Sequence, residues 1–415
     1  MMSRWILCLS AAALAAVAGG CGSPPAEFRE YATFAYKVEQ SIGDDFKFTS
    51  SQHENIDTIM ASLFGTPDQP TLPKIEIEGV DLSEVVSLPK LRMAAGPVGS
   101  DQDGRPRGLY REHCAHCHGI TGDGAGPTAV FLNPYPRDYR PGKYKFKSTP
   151  VGYKPTHEDL TKILIDGIPG TAMPSFKLLP ADEIDALIHY VRYLSIRGET
   201  ERALLTLLAD TDEGQPLVDI HSKDQDVVQE QLAMVTETVT QIVERWADAN
   251  KAVVNIPPRP SMNAEELTAS INRGRDLFYG TIANCVKCHG DAALGDGQTN
   301  DYDEWAKEFM TGNNPASADP YIALGLLPPR TIKPRNLRLG VYRGGNRPID
   351  IFWRIRLGIE GTPMPAATLK PEGDPHAKGL TEDDIWDIVN YVQSLPREAI
   401  SNPQDAVPHN LRERL

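Results

Sequence analysis

The sequence predicts a mainly α fold: two tandem copies of one small helical domain, each a few helices around a Cys-x-x-Cys-His motif, joined by a long amphipathic helix. Three observations predict it. The motif occurs twice, as Cys114-Ala-His-Cys117-His118 and Cys285-Val-Lys-Cys288-His289. Downstream of each copy, DLTKILIDGIPGTAMPSF recurs without a gap, 191 positions later, as DIFWRIRLGIEGTPMPAA. Each half then closes on a similar amphipathic run, DEIDALIHYVRYL and DDIWDIVNYVQSL. The order is the same in both halves, which marks an internal duplication.

The chain begins with MMSRWILCLSAAALAAVAGGC, a short basic start at Arg4, an apolar stretch and then small residues. Residues 1–20 therefore predict a secretory signal peptide, too short to span a bilayer as a stable helix. Ala18-Gly19-Gly20-Cys21 resembles a bacterial lipobox, which makes Cys21 the expected site of lipidation and membrane anchoring. Ordinary cleavage after Ala16-Val17-Ala18 is the alternative. Residues 21–100 form an N-terminal extension of unknown role, with one clear helical stretch at NIDTIMASLFG stopped by Gly65 and Pro67, and otherwise Pro-punctuated and extended.

The first domain is expected over 101–200. Its opening helix is short, because Pro106 and Gly108 lie close to Cys114. Its last helix places Ile184, Leu187, Ile188, Val191 and Leu194 on one face. A helical linker occupies 201–262. Within it Val228, Leu232, Val235, Val239, Ile242 and Trp246 form the stripe of a long amphipathic strut, and NIPPRPS at 255–261 is a stiff connector. The second domain covers 263–398. It carries extra residues between Phe278 and Cys285 and again between His289 and Arg335, and its last helix is announced by the Thr381-x-x-Asp384 capping signal. Residues 399–415 are a C-terminal tail.

Six cysteines are present. Cys8 leaves with the signal and Cys21 is the lipid candidate, so the two motif pairs remain. Cys-x-x-Cys-His is the attachment pattern of c-type haem. Two thiols at this spacing can add across the vinyl groups of one haem edge, and the next residue brings an imidazole under the iron. A zinc site pooling both pairs would join cysteines 171 positions apart and leave both histidines idle. Two covalently attached haems are therefore expected, with His118 and His289 as proximal ligands. His113 and His116 are not needed for attachment and are assigned to surface or haem-edge packing.

The second axial ligand is expected from the repeated Gly-Thr-x-Met-Pro, at Met173 and Met364. A thioether is a soft donor suited to haem iron. Met173 is the sole methionine between His118 and residue 233, and Met310 in the second half lacks the repeated context. Each half thus resembles a class I cytochrome c domain. The resemblance implies a first helix ending near the motif, a loop carrying the distal methionine, and a final helix packed across the first with Tyr190 or Tyr391 at the contact. One departure is that the second half lacks the family's proline soon after the motif, which supports the proximal histidine. Arg137 and Arg335, in the repeated PRD and PRN, are the expected propionate-binding cations.

The charge balance is acidic, 56 Asp+Glu against 42 Lys+Arg, which argues against nucleic acid and suits a basic docking face on another protein. No small-molecule substrate is indicated, and no catalytic residue stands out. The expected function is single-electron transfer between redox proteins at the outer, periplasmic face of a bacterial membrane, in a respiratory or dehydrogenase-linked chain. A di-haem peroxidase is the alternative, and it would need an open sixth iron position with acid–base groups beside it. His157 and His189 are the histidines available for such a role, and both are expected on helix or loop surfaces.

Overall fold

The computed structural model describes residues 25–398 apart from 372 and 375. The signal segment, Cys21 and the 399–415 tail lie outside the described residues. The N-terminal extension is more helical than its sequence suggests. It forms α1 (Ala32–Ile42), α2 (Ser50–Phe64), α3 (Leu82–Val85) and α4 (Leu88–Ala94). α2 opens on a reciprocal Thr49–Gln52 capping box and stops at Gly65, whose left-handed backbone packs a Cβ position 2.3 Å from the Gln69 carbonyl.

A small hairpin of β1 (Gly99–Ser100) and β2 (Pro106–Arg107) leads into α5 (Leu109–His113) and the one-turn α6 (Ala115–His118). α7 (His157–Asp166) and the 29-residue α8 (Ala181–Ala209) complete the first half. α8 runs unbroken past residue 200, so the boundary expected there falls inside a helix. Its middle turns, 186–198, are buried all round, and its later turns keep a wide buried face with Thr200, Glu201, Leu204 and Leu205 each at most 1% exposed. The reason is that α1, α2, α4 and the linker helix α9 (Gln225–Ala247) all pack on it. The buried Glu201 is satisfied, accepting from the Tyr31 amide at 2.7 Å and pairing with Arg197 at 2.8 Å.

The strut expected in the linker is present, with Val228, Val235, Val239, Ile242 and Trp246 buried. Leu232 is the exception at 40% exposed.

The second half is α10 (Ala264–Tyr279), the one-turn α11 (Val286–His289), α12 (Glu304–Lys307), α13 (Asp319–Ala323), α14 (Pro348–Leu357) and α15 (Glu382–Ser394). β3 (Asp301–Tyr302) and β4 (Thr331–Ile332) pair across the base of its long insertion. α15 carries the Thr381–Asp384 capping box and buries Ile385, Ile388, Val389 and Val392. It crosses α10 at Gly274, where a Cβ would fall 1.9 Å from the Asp387 carbonyl, so only glycine permits this approach.

The two halves are tied together by polar contacts. Arg354 donates to the carbonyls of Lys145 and Lys147, at 3.0 and 2.6 Å, and Arg330 donates to those of Leu132 and Val130. Glu308 of the insertion accepts from both Lys37 of α1 and Arg202 of α8, at 3.0 and 2.6 Å. Among the described residues no helix is long and apolar enough to cross a membrane.

Candidate haem sites

Each Cys-x-x-Cys-His folds as a single helical turn. The His118 amide donates to the Cys114 carbonyl at 2.9 Å, and the His289 amide donates to that of Cys285 at 2.9 Å. This turn puts the two thiols and the imidazole of each motif on one wall. None of the four cysteines forms a disulfide, and burial pushes the thiols of Cys114 and Cys285 up to about 12.

The imidazoles are oriented alike. His118 Nδ1 lies 3.0 Å from the Arg137 carbonyl and His289 Nδ1 lies 3.1 Å from that of Arg335. A carbonyl can only accept, so Nδ1 carries the proton and Nε2 is left with its lone pair for a metal. Burial pulls His118 down to about 4 and lowers His289 as well, which keeps both rings neutral. The support that the second half lacks directly after its motif is thus supplied by Pro334-Arg335, and the first half uses Pro136-Arg137 in the same way.

The methionine loops are also superposable in their bonding. The Met173 amide donates to Thr171 Oγ1 at 3.1 Å, Thr171 donates to the Ile168 carbonyl, and the Ile168 amide closes onto the Met173 carbonyl at 3.1 Å. Met364, Thr362 and Ile359 repeat this at 3.2, 2.8 and 3.1 Å. Both methionines line a cavity of about 1340 Å³ together with all four motif cysteines and both motif histidines. Met310 is not among its lining residues. The two sites therefore open into one continuous space.

The chemistry of that space fits two haems. Its wall is predominantly apolar, as a porphyrin face requires, and it gathers cations from both halves, among them Arg137, Lys145, Arg335, Arg343 and Arg354. Burial, reinforced by the charge of Arg137 and only partly offset by Asp303, drops Lys145 to about 7. Burial likewise brings Arg137 and Arg354 down to about 10. The buried Nε atoms of Arg343 and Arg354 and the indole Nε1 of Trp305 have no hydrogen-bond partner in the protein. Orphaned donors and crowded cations facing an apolar slot are what propionate carboxylates on a flat ring would satisfy.

Arg137 and Arg335 both line the cavity, as expected of propionate cations, yet their side chains reach toward the opposite half. The Arg137 guanidinium stacks 3.3 Å above the ring of Trp305, which belongs to the second half. Arg335 lies against Gly170 of the first half, where a Cβ would come within 2.4 Å of Nη2. Trp305, Lys145 and Arg354 were not legible as site residues. Trp305 sits in an insertion with no repeat partner. Arg354 occupies the position of Ile163, and that one charge on an otherwise apolar helix face was the available signal.

His113 packs edge-on against Phe176, and His116 is exposed, as assigned. His189 corrects its expectation: it is buried, because the extension covers it, and Nδ1 accepts from the Ser87 amide at 3.2 Å. With Nδ1 accepting, Nε2 lies 3.5 Å from the Asp185 carboxylate. His157 approaches the same carboxylate at 3.3 Å, and Lys90 pairs with it at 2.9 Å. This cluster is internally satisfied and stands apart from the haem cavity.

Two sets of paired thiols, a neutral imidazole and a thioether, each on a small helical domain, define a haem-bearing redox protein. Residues 101–191 match the family model described as cytochrome C oxidase, cbb3-type, subunit III, and residues 271–396 match that described as cytochrome c. The chain is a di-haem c-type cytochrome, with two cytochrome c domains in tandem and two covalently bound haems. No curated protein matches it. Among solved structures it is similar to the Kuenenia stuttgartiensis reducing HAO-like protein complex Kustc0457/Kustc0458, at 23% identity and a TM-score of 0.45, over 72% of this chain and 98% of that one.

Proposed function

We propose that this cytochrome carries single electrons between a protein donor and a protein acceptor at the outer face of a bacterial membrane, within a respiratory or dehydrogenase-linked chain. The observation that carries the proposal is the pair of matched thiol–imidazole–thioether sets opening on one shared cavity. Each haem, when bound, supplies an iron that accepts and returns one electron. Cys114 and Cys117, and Cys285 and Cys288, would hold the two rings, with His118 and Met173, and His289 and Met364, as axial ligands. The carbonyls of Arg137 and Arg335 hold the imidazoles in the ligating tautomer, and the threonine-pinned loops hold the thioethers. The cations around the cavity would balance the charge of the propionates. Two capped irons suit electron transfer, whereas peroxide turnover needs an open position. Anchoring through lipidated Cys21 would confine exchange to partners in or near that membrane.

The test is spectroscopic. Two haems per chain are expected by pyridine haemochrome, falling to one when Cys285 and Cys288 are both changed to Ser. The oxidised protein should show the weak near-infrared sulfur-to-iron band, and the reduced protein should bind no carbon monoxide. Carbon monoxide binding by the unsubstituted protein, with peroxide reduction, would replace this reading by the peroxidase one. For the anchor, intact mass of the mature N-terminal peptide should show an acylated Cys21. An unmodified peptide from the soluble fraction would make this a diffusible carrier.

A further inference from the structure

Arg137 and Arg335 occupy equivalent places in the repeat, and each has two jobs that point in different directions. Through its backbone, each serves its own half: the Arg137 carbonyl receives His118 Nδ1 and the Arg335 carbonyl receives His289 Nδ1. Through its guanidinium, each also reaches the other half, toward the same structural position, although Arg335 Nε is tied to its own half as well, donating to the Val341 carbonyl at 2.7 Å. Gly170 and Gly361 are repeat equivalents, each three residues before its methionine, with φ of +72° and +75°. Arg335 Nη2 fills the space over Gly170. Trp305, of the same half, fills the space over Gly361, where a Cβ would fall 1.7 Å from Cζ3, and the Arg137 guanidinium of the opposite half is stacked on that indole at 3.3 Å. At Gly170 the missing side chain lets the opposite half seat itself directly beside the methionine loop, and at Gly361 it seats the indole on which the opposite half rests.

We propose that Arg137 and Arg335 are crossed positioning residues: each fixes the proximal imidazole of its own half and braces the methionine loop of the other. The inference rests on Met173 and Met364 being axial ligands. A methionine–iron bond is easily displaced, so the stiffness of its loop decides how far the thioether stays on the metal. A brace from the opposite half makes ligation at one haem depend on the packing of both. Arg335 acts directly on the Met173 loop; Arg137 acts on the Met364 loop through Trp305. Within the protein, the contacts that hold the indole are the Arg137 stack and the close fit over Gly361.

The two roles separate experimentally. In a Met364→His background, the near-infrared sulfur-to-iron band that remains belongs to Met173. Arg335→Ala in that background should weaken the band at least twofold and let added imidazole bind the first-half iron, with two haems still attached. Arg137→Ala in a Met173→His background should do the same to the Met364 band, and Trp305→Ala should reproduce it. If haem content drops in an alanine variant, Arg335→Lys, which keeps the charge and loses the planar fork, carries the same expectation. An undiminished Met173 band, with only the second-half haem's potential shifted, would show that Arg335 serves its own haem alone and would overturn the proposal. Failure of the ligation reading looks different: the band would be absent from the unsubstituted protein.

Discussion

The two haem domains share a motif, a methionine loop and a closing helix, yet they are stabilised differently. The first half sits within a core that also includes the N-terminal extension and the linker helix, and the middle turns of α8 are enclosed on every side. The second half has a smaller core centred on Phe278, Phe352, Trp386 and Tyr391, with one helix crossing at its centre. The difference continues at the proximal histidines. Tyr139 stacks on His118 at 4.7 Å and leads through Tyr144 to Trp246 of the linker. The equivalent residue beside His289 is the aliphatic Leu337. A duplicated unit has thus been kept intact around the iron while its surroundings diverged, so the first domain depends on distant segments and the second on a few close contacts.

The sharpest way to break that comparison is at Gly274. A valine there drives side-chain carbon into the Asp387 backbone, and neither helix has a flexible atom to yield. The crossing also holds the Arg273–Asp387 pair, at 2.7 Å, and the buried Ser270–Asp387 and Ser270–Asn390 bonds. Gly274→Val should cost at least ~3 kcal/mol and unfold the second half selectively. The pyridine haemochrome count should fall from two toward one, with the first-half haem retained. Two haems and an unchanged melting curve would mean that the crossing is not what holds this half.

Next in size is the linker. Trp246 is buried, packs edge-on against Tyr144 and donates to Glu199 at 2.8 Å. Trp246→Ala should lower unfolding free energy by ~3–4 kcal/mol, read by urea titration, while both haems remain attached. A loss below about 1 kcal/mol, within the range of surface changes, would show that the first half does not lean on its linker.

What was legible in the sequence follows the same divide. The closing helices were, because one buried face on a surface helix leaves a 3.6-residue stripe, and both sets of stripe residues are buried. The cap of α15 was too, since its Thr-x-x-Asp signal is local chemistry, whereas α8 starts after Pro180 with no side-chain cap. The later turns of α8 were not legible, because a wide buried face blurs the stripe that would announce it. In the extension NIDTIMASLFG was readable and lies in α2, whereas α1, α3 and α4 were missed because each is short or leans on α8, a partner the local sequence does not announce. His189 was placed at the surface because nothing local indicates that Ser87 will cover it. The Cys-x-x-Cys-His and Gly-Thr-x-Met-Pro segments were readable as local motifs, whereas the reach of Arg137 and Arg335 across the halves is a property of how the halves dock and leaves no trace in either repeat.

The smallest expected effect concerns the clamp that joins the two regions. Glu308, on the second half's insertion, accepts from Arg202 of α8 and Lys37 of α1 and so ties the insertion to the extended first core. Burial opposes its ionisation, but the charges and hydrogen bonds of Arg202 and Lys37 prevail and hold its carboxyl below the usual glutamate value. A carboxyl with a folded pKa below its unfolded one stabilises the fold fully above the unfolded value, near 4.5, and loses that contribution as pH falls toward the folded value. Glu308→Gln keeps the shape and one acceptor while removing the charge, and should cost ~2 kcal/mol at neutral pH. The cost should shrink below pH 4.5, where the unfolded chain's carboxyl takes up a proton before the folded one does. Because the clamp joins the halves and does not build either one, both haems should keep their methionine bands in this variant. A stability loss independent of pH over this acidic range would assign the effect to packing and remove the electrostatic link between the two regions.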